Sequence, residues 1–316
     1  MNNLTLGSTY RKGFIDTEHE LIPQNRFFKA FADEKHFFEE RKEPVSFYQI
    51  RNAVECGKIT DFDKTVLSVI AVFGNAACTT KTISEMLTMM GVETTRNNLE
   101  HSVKRLHRYH LINLSRFCLP GGEPTKTRII TLARYGSWLA KDMGVVHIFK
   151  PFASANAKPY MIKSWAHTAQ LVCNWLKNLP VESFAVRKVT VSDQNADEET
   201  MIKIRPAASV KVWGETLYFE VPRRHEEWKE ELVEKMSRYK LVFGENSLPT
   251  VVINGEDEEM NLEINKALEE SGYSGEVLYT DDLASFGRNF RTSLYSFDKE
   301  LRKIVYNINI TEREAV

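Results

Sequence analysis

The sequence predicts an α+β chain. An N-terminal winged helix-turn-helix is followed by a mixed-sheet α/β domain. Two observations carry the first half of that expectation. Residues 61–146 contain three helical stretches and then two β-like runs around the turn-rich PGGEP, an order used by winged helices. Basic residues also gather there: between Arg96 and Arg134 stand Arg96, Lys104, Arg105, Arg108, Arg116, Lys126, Arg128 and Arg134, against only Glu100 and Glu123. For the second half, helix and strand patterns alternate from residue 159 onward, which suggests a central sheet covered by helices.

The elements follow in order. The segment NRFFKAFADEKHFFEER, Asn25 to Arg41, has aromatics at 27, 28, 31, 37 and 38, a spacing that suits one helix with an apolar stripe. FYQIRNAVEC is a shorter helix stopped by Gly57. DFDKTVLSVIAVFG places Val66, Leu67, Ile70, Val72 and Phe73 on a helical face. Thr79 or Thr80 can cap KTISEMLTMM, and Thr94 or Thr95 can cap TRNNLEHSVKRLHRYH, whose buried stripe is Leu99, Val103 and Leu106. LINLSRFCL and TKTRIITL are the strands of the hairpin, and ARYGSWLAKDM is a closing helix. A linker is expected over Ala153 to Lys158. Beyond it, PYMIKSWAHTAQLVCNWLKNL is a helix and FAVRKVTVS a strand. RPAASVKVWGETLYFEVPRR forms a hairpin and HEEWKEELVEKMSRYKLVF an amphipathic helix. LPTVVIN is a buried strand, MNLEINKALEESG a helix and EVLYTD a strand. FDKELRKIVYNI fits helix or strand. The expected domains are therefore a helical extension over 1–60, a winged helix over 61–150 and an α/β domain over 159–316.

Composition narrows the class. The chain has 316 residues, 42% of them hydrophobic and 11% aromatic, with a formal net charge of −1, enough for about two domains with real cores. Four scattered cysteines, Cys56, Cys78, Cys118 and Cys173, do not make a disulfide framework. No apolar run approaches bilayer length, and the opening MNNLTLGSTYRKGFIDTEHE is too polar and acidic for a secretory signal. The expectation is a soluble, cytoplasmic protein with reduced thiols.

A basic module on an acidic body is the footprint of a DNA-binding segment. In a helix-turn-helix the first turns of the second motif helix face the major groove. Arg96, Asn97 and Asn98 are there, and arginine and asparagine can hold guanine and adenine by paired hydrogen bonds. Lys104, Arg105 and Arg108 fall later, where phosphate contact is expected. Lys126 and Arg128 belong to the hairpin tip, along the backbone or minor groove. The alternatives are a solvated basic face and a winged helix that binds only protein. His101, His107 and His110 do not share one helical face, so neither a metal nor a cofactor is expected.

Three stretches resemble the replication-relaxation family of plasmid and mobile-element proteins. RIITLARYGSWLAKD is similar to the family's strand and L-T-x-x-G-type helix, with Leu132, Ala133 and Gly136 and no threonine. SWAHTAQLVCNWL is similar to a helix that begins with a histidine, here His167. RPAASVKVWGETLYFEVPRR with EELVEKMSRYK is similar to an R-P-D strand, an aromatic strand ending in glutamate and a K-x-x-x-Y helix, matched by Lys235 and Tyr239. The resemblance spans residues 61 to about 281. It implies double-stranded DNA binding in replication or conjugation. It also implies a restriction-endonuclease-like second domain.

Active members of that fold use one acid and a D/E-x-K pair on neighbouring strands to hold Mg²⁺ and a water. Here Ala207 stands where the first acid is expected, and Val221 and Pro222 follow Glu220, so the lysine is missing. Glu220 is left to pair with Arg205 or Arg223, or to end its strand in solvent. A pairing of His167 with Glu220 is the remaining alternative to a structural histidine. The expectation is a DNA-binding regulator or accessory factor with a catalytically inactive second domain serving dimerisation or the docking of a replication or transfer protein. The alternatives are a divergent metal-dependent endonuclease and an adaptor without DNA contact.

Overall fold

The computed structural model describes residues 7–10, 30, 34–40, 44–73, 77–118, 121–145, 157–188, 190–191, 202–286 and 290–308. The expected linker lies outside them except for Ala157 and Lys158. The class is a mixed α+β fold in two compact units, one of residues 1–29 with 174–316 and one of residues 30–173. Strand β1, Gly7–Tyr10, belongs to the former.

The unit of residues 30–173 begins with strand β2, Lys35–Phe38, where a helix over Asn25 to Arg41 was expected. Side chains alternate along it: Lys35 and Phe37 are exposed, while His36 and Phe38 are half-buried. Phe37 and Phe38, adjacent in sequence, point to opposite faces of the strand, so the aromatics that suit a helical stripe are split between two faces here. Helix α1, Phe47–Glu55, starts at a capping box of Ser46 and Gln49. Helix α2, Asp61–Val72, starts at a box of Thr60 and Asp63. Helix α3, Thr80–Met89, is capped by Thr79, and helix α4, Arg96–Arg108, by Thr95. Strands β3, Ile112–Cys118, and β4, Ile129–Leu132, form the expected hairpin, and helix α5, Arg134–Asp142, follows.

β2 pairs antiparallel with β3 from Lys35↔Cys118 to Phe38↔Ser115, giving a sheet in the order β2-β3-β4. Cys78, just before α3, exchanges two backbone hydrogen bonds of 2.8 Å with Ile130 of β4. The core gathers Val66, Leu67 and Ile70 from α2, Ile83 and Leu87 from α3, Leu99, Val103 and Leu106 from α4, and Ile130 and Leu132 from β4. Each such side chain contributes about 2 kcal/mol by burial, against about 1 kcal/mol for a cap. Packing therefore holds the helices and the caps fix their starts. A charged pair is enclosed as well: Lys163 and Glu34 meet at 2.5 Å with side chains 1% and 3% exposed.

Lys163 lies on helix α6, Pro159–Asn178, inside which the boundary between the units falls. The other unit continues with strands β5, Val181–Val186, β6, Thr190–Val191, β7, Lys203–Ile204, β8, Ala208–Val212, and β9, Glu215–Glu220. Helix α7, Trp228–Phe243, strand β10, Val251–Gly255, helix α8, Glu258–Glu270, and strand β11, Val277–Asp281, come next. Helix α9, Asp282–Phe286, and strands β12, Tyr295–Phe297, and β13, Lys303–Asn307, complete it, so the ambiguous tail is strand.

The main sheet runs β1-β13-β12-β11-β10-β9-β8-β5. Only β9, β10 and β11 are mutually parallel in it; its other neighbours are antiparallel. The β8–β9 turn is Trp213-Gly214 with φ of 51° and 82°. Positive φ at both central residues is the turn whose twist suits a two-residue hairpin. α7 buries Leu232, Met236 and Tyr239 in a core with Val251, Ile253, Met260 and Ile264. Arg223 and Asp282, each at most 1% exposed by side chain, pair at 3.0 Å just beyond β9 and β11, and Asn254 and Ser285 extend that network.

Candidate nucleic-acid interface

Helix α4 is built with two faces. Thr95 accepts the Asn98 N–H at 3.2 Å and starts the helix, and Leu99, Ser102, Val103 and Leu106 turn into the core. Arg96, Asn97, Asn98, His101, Lys104 and Arg108 are exposed. Asn97, His101, Lys104 and Arg108 are spaced by four, three and four residues, which aligns them along one side of an α-helix. The last turn also carries Arg105 and His107, where positive charge is favoured by the helix dipole.

The structure sorts the predicted contact residues. Arg96, Asn97, Asn98, Lys104 and Arg108 are exposed on α4, and Lys126 is exposed in the loop between β3 and β4. Arg105 instead turns onto Asp63 with two hydrogen bonds, Nε to Oδ2 at 2.7 Å and Nη2 to Oδ1 at 3.1 Å. The Asp63 side chain is fully buried. Burial by itself would raise its carboxyl, but Arg105, Ser102 and the Thr60 cap hold it below the usual carboxylate range. Arg128 donates to Glu39 at 2.8 Å and to Glu100 at 3.4 Å. Glu39 also takes Arg116 at 2.7 Å. Burial pushes Glu39 upward, and the two guanidinium groups outweigh it to bring its carboxyl below the ordinary value. Arg105 and Arg128 thus spend their charge inside the unit, while the other six present theirs, or their amides, to solvent.

Glu39 was not among the residues singled out from sequence. Its role becomes visible only once β2 is paired with β3, because that pairing carries it beside Arg116 and Arg128.

In the other unit Glu220 ends β9 and is 3% exposed. Neither Arg205, nor Arg223, nor solvent takes its carboxylate. Its Oε2 accepts Lys235 Nζ at 2.5 Å, and its Oε1 accepts the Tyr239 hydroxyl at 2.8 Å. Lys235 and Tyr239 are four residues apart on α7 and so share a face. Burial, and then the Glu220 charge, push the Tyr239 hydroxyl well up. Arg223 pairs with Asp282 instead. The arrangement returns a lysine to the glutamate, from a helix rather than from the strand. His167 is fully buried in α6. Among the described residues no group of three or more His, Cys, Asp or Glu is placed to hold a metal ion. No helix among them is long and apolar enough to cross a membrane.

No protein-family model matches this chain, and no curated protein sequence matches it. Among solved structures, it is similar to the crystal structure of protein VC1899 from Vibrio cholerae, at 10% identity over 78% of this chain and 55% of that one, with a TM-score of 0.26. The chain thus spans about half the length of that protein, and a likeness of this size bears on neither fold nor function.

Proposed function

We propose that the protein binds double-stranded DNA through α4. It would act as a regulator or as a replication or transfer accessory factor of a plasmid, phage or conjugative element, as the replication-relaxation resemblance implies. The observation that carries the DNA reading is the exposed stripe Asn97, His101, Lys104 and Arg108 on a helix whose other face is core. Helices α2, α3 and α4, the hairpin β3–β4 and the Cys78–Ile130 bridge follow the order of a winged helix-turn-helix, which supports assigning α4 to the major groove. Arg96, Asn97 and Asn98 then face base edges, and Lys104, Arg108 and Lys126 face phosphates. Arg105 and Arg128 brace the unit. The second unit, as a nuclease-like fold, would serve dimerisation or docking, since both Glu220 oxygens are engaged by Lys235 and Tyr239. A homodimer would present two copies of α4 to a two-fold site.

Fluorescence anisotropy on random duplex fragments across a salt series tests this reading. The Lys104→Ala, Arg108→Ala double variant should bind more weakly, with the log–log salt slope lowered by about two, close to one for each phosphate no longer neutralised. Equal binding by both proteins, or binding by neither, overturns it.

A further inference from the structure

Helix α5 turns Gly136, Leu139 and Ala140 into the core. At the helical repeat, the opposite side carries Arg134, Trp138 and Lys141, spaced by four and three residues. Arg134 and Lys141 are exposed, and Trp138 is half-buried between them. About 10 Å of helix axis separates the two cations. The helix starts at Ala133, which offers no capping side chain. The positive end of the helix dipole therefore adds to the charge of Arg134.

A second helix extends this face with aromatic rings. α1 presents Phe47 and Tyr48, which are 41% and 76% exposed. Phe47 meets Trp138 edge to face with ring centroids 4.4 Å apart, and it lies 6.3 Å from Tyr135. Such edge-to-face contacts orient rings as well as burying them. Apolar side chains exposed singly are normal, but a joined group of rings marks an interaction surface. Of the cations on the two helices, Arg51 is bound to Glu55 at 3.0 Å. Arg134 and Lys141 have no carboxylate partner among the described residues. Asp142, exposed at the end of α5, is the acid of that helix.

We propose that this face binds single-stranded nucleic acid, with unpaired bases stacked on Trp138 and Tyr48 and phosphates held by Arg134 and Lys141. Cation, ring and cation in a row match the phosphate, base and phosphate that a strand offers. Every base has a π-face, so stacking of this kind tolerates any sequence. Bases in a duplex are hidden in their own stack, so this face takes an opened strand. The cations favour a polyanion over a second copy of the chain, because a two-fold contact would set the same charges against each other. The proposal does not depend on duplex binding by α4.

Fluorescence anisotropy on the full chain tests it, with labelled oligothymidylate and oligouridylate of about twelve nucleotides as probes. Binding of either probe, weakened at least about fivefold by Tyr48→Ala as expected for one lost stack, supports the proposal and shows which sugar is taken. The Arg134→Gln, Lys141→Gln double variant should weaken it too. It should lower the log–log salt slope by about 1.4, roughly 0.7 for each phosphate. Tyr48→Ala should leave binding of a duplex of the same length unchanged. These three side chains are exposed, so replacing them tests the face without removing the packing of Trp138 on Phe47. No binding of either probe by the wild type, or equal binding by the wild type and either variant, overturns the proposal. A loss confined to Lys104→Ala, Arg108→Ala overturns it as well, since the strand would then lie on α4. If the wild type binds neither probe but self-associates in analytical ultracentrifugation, and Tyr48→Ala is monomeric, the face joins copies of the chain and the proposal falls.

Discussion

A Cβ placed on Gly136 would lie 1.9 Å from the Leu111 carbonyl oxygen and 2.8 Å from its carbon. That carbonyl also accepts the Ala133 N–H at 3.0 Å, so the start of α5 is bonded to the atom it crowds. Gly136→Ala should therefore destabilise the protein by about 1–3 kcal/mol, since backbone rather than a flexible side chain must move, and a lowered urea midpoint measures it. The glycine noted in the sequence as part of a family-like motif thus has a packing reason. His36 makes a second prediction. Burial lowers its imidazole from 6.5 to about 4, against the rings of Phe38 and Phe117. The unfolded chain binds the proton more readily, so stability is full above pH 6.5 and falls as pH drops toward 4. Between about pH 6.5 and 4.5 the urea midpoint of the wild type should decline more steeply than that of His36→Phe. Parallel curves would show that this ring does not drive the decline.

At the scale of elements, α4 separates two kinds of arginine that look alike in sequence. Arg105→Ala strands the buried Asp63 carboxylate and removes the brace between α4 and the start of α2. It should cost about 2 kcal/mol, below the full value for a buried pair because Arg105 is 35% exposed. Lys104→Ala, on the exposed stripe, should leave the urea midpoint in place and change only the salt dependence of DNA binding. Equal stability losses in the two variants would contradict this division. The helices α2 to α4 and the hairpin were legible because each carries its signal locally: a threonine cap, a buried stripe, a change of period. β2 was not, since its aromatics suit a helical stripe and its pairing with β3 is made across a long stretch of chain. The Lys-x-x-x-Tyr pattern was visible in the sequence, but its closure on Glu220 was not. That contact depends on how α7 lies across β9, which no short window encodes.

For the whole molecule, the chain's two ends share one sheet. β1 pairs antiparallel with β13 from Gly7↔Asn307 to Tyr10↔Ile304, at the border of the eight-stranded order. The first strand of the chain therefore completes a unit otherwise built from residue 174 onward, while residues 30–173 gather their own core. The polar, acidic opening of the sequence gave no sign of this, because an edge strand is chosen by the partner it covers. Removing residues 1–29 would leave the backbone groups of β13 unpaired along one edge, and an open edge invites pairing with another chain. The truncated protein should show a lower thermal midpoint and light scattering that rises with concentration. It should keep the salt slope of DNA binding, since α4 and its braces Asp63 and Glu39 lie within residues 30–173. Unchanged melting and scattering after the truncation would mean that β1 does not hold the edge. Loss of DNA binding alongside unchanged melting would mean instead that the first 29 residues act at the DNA.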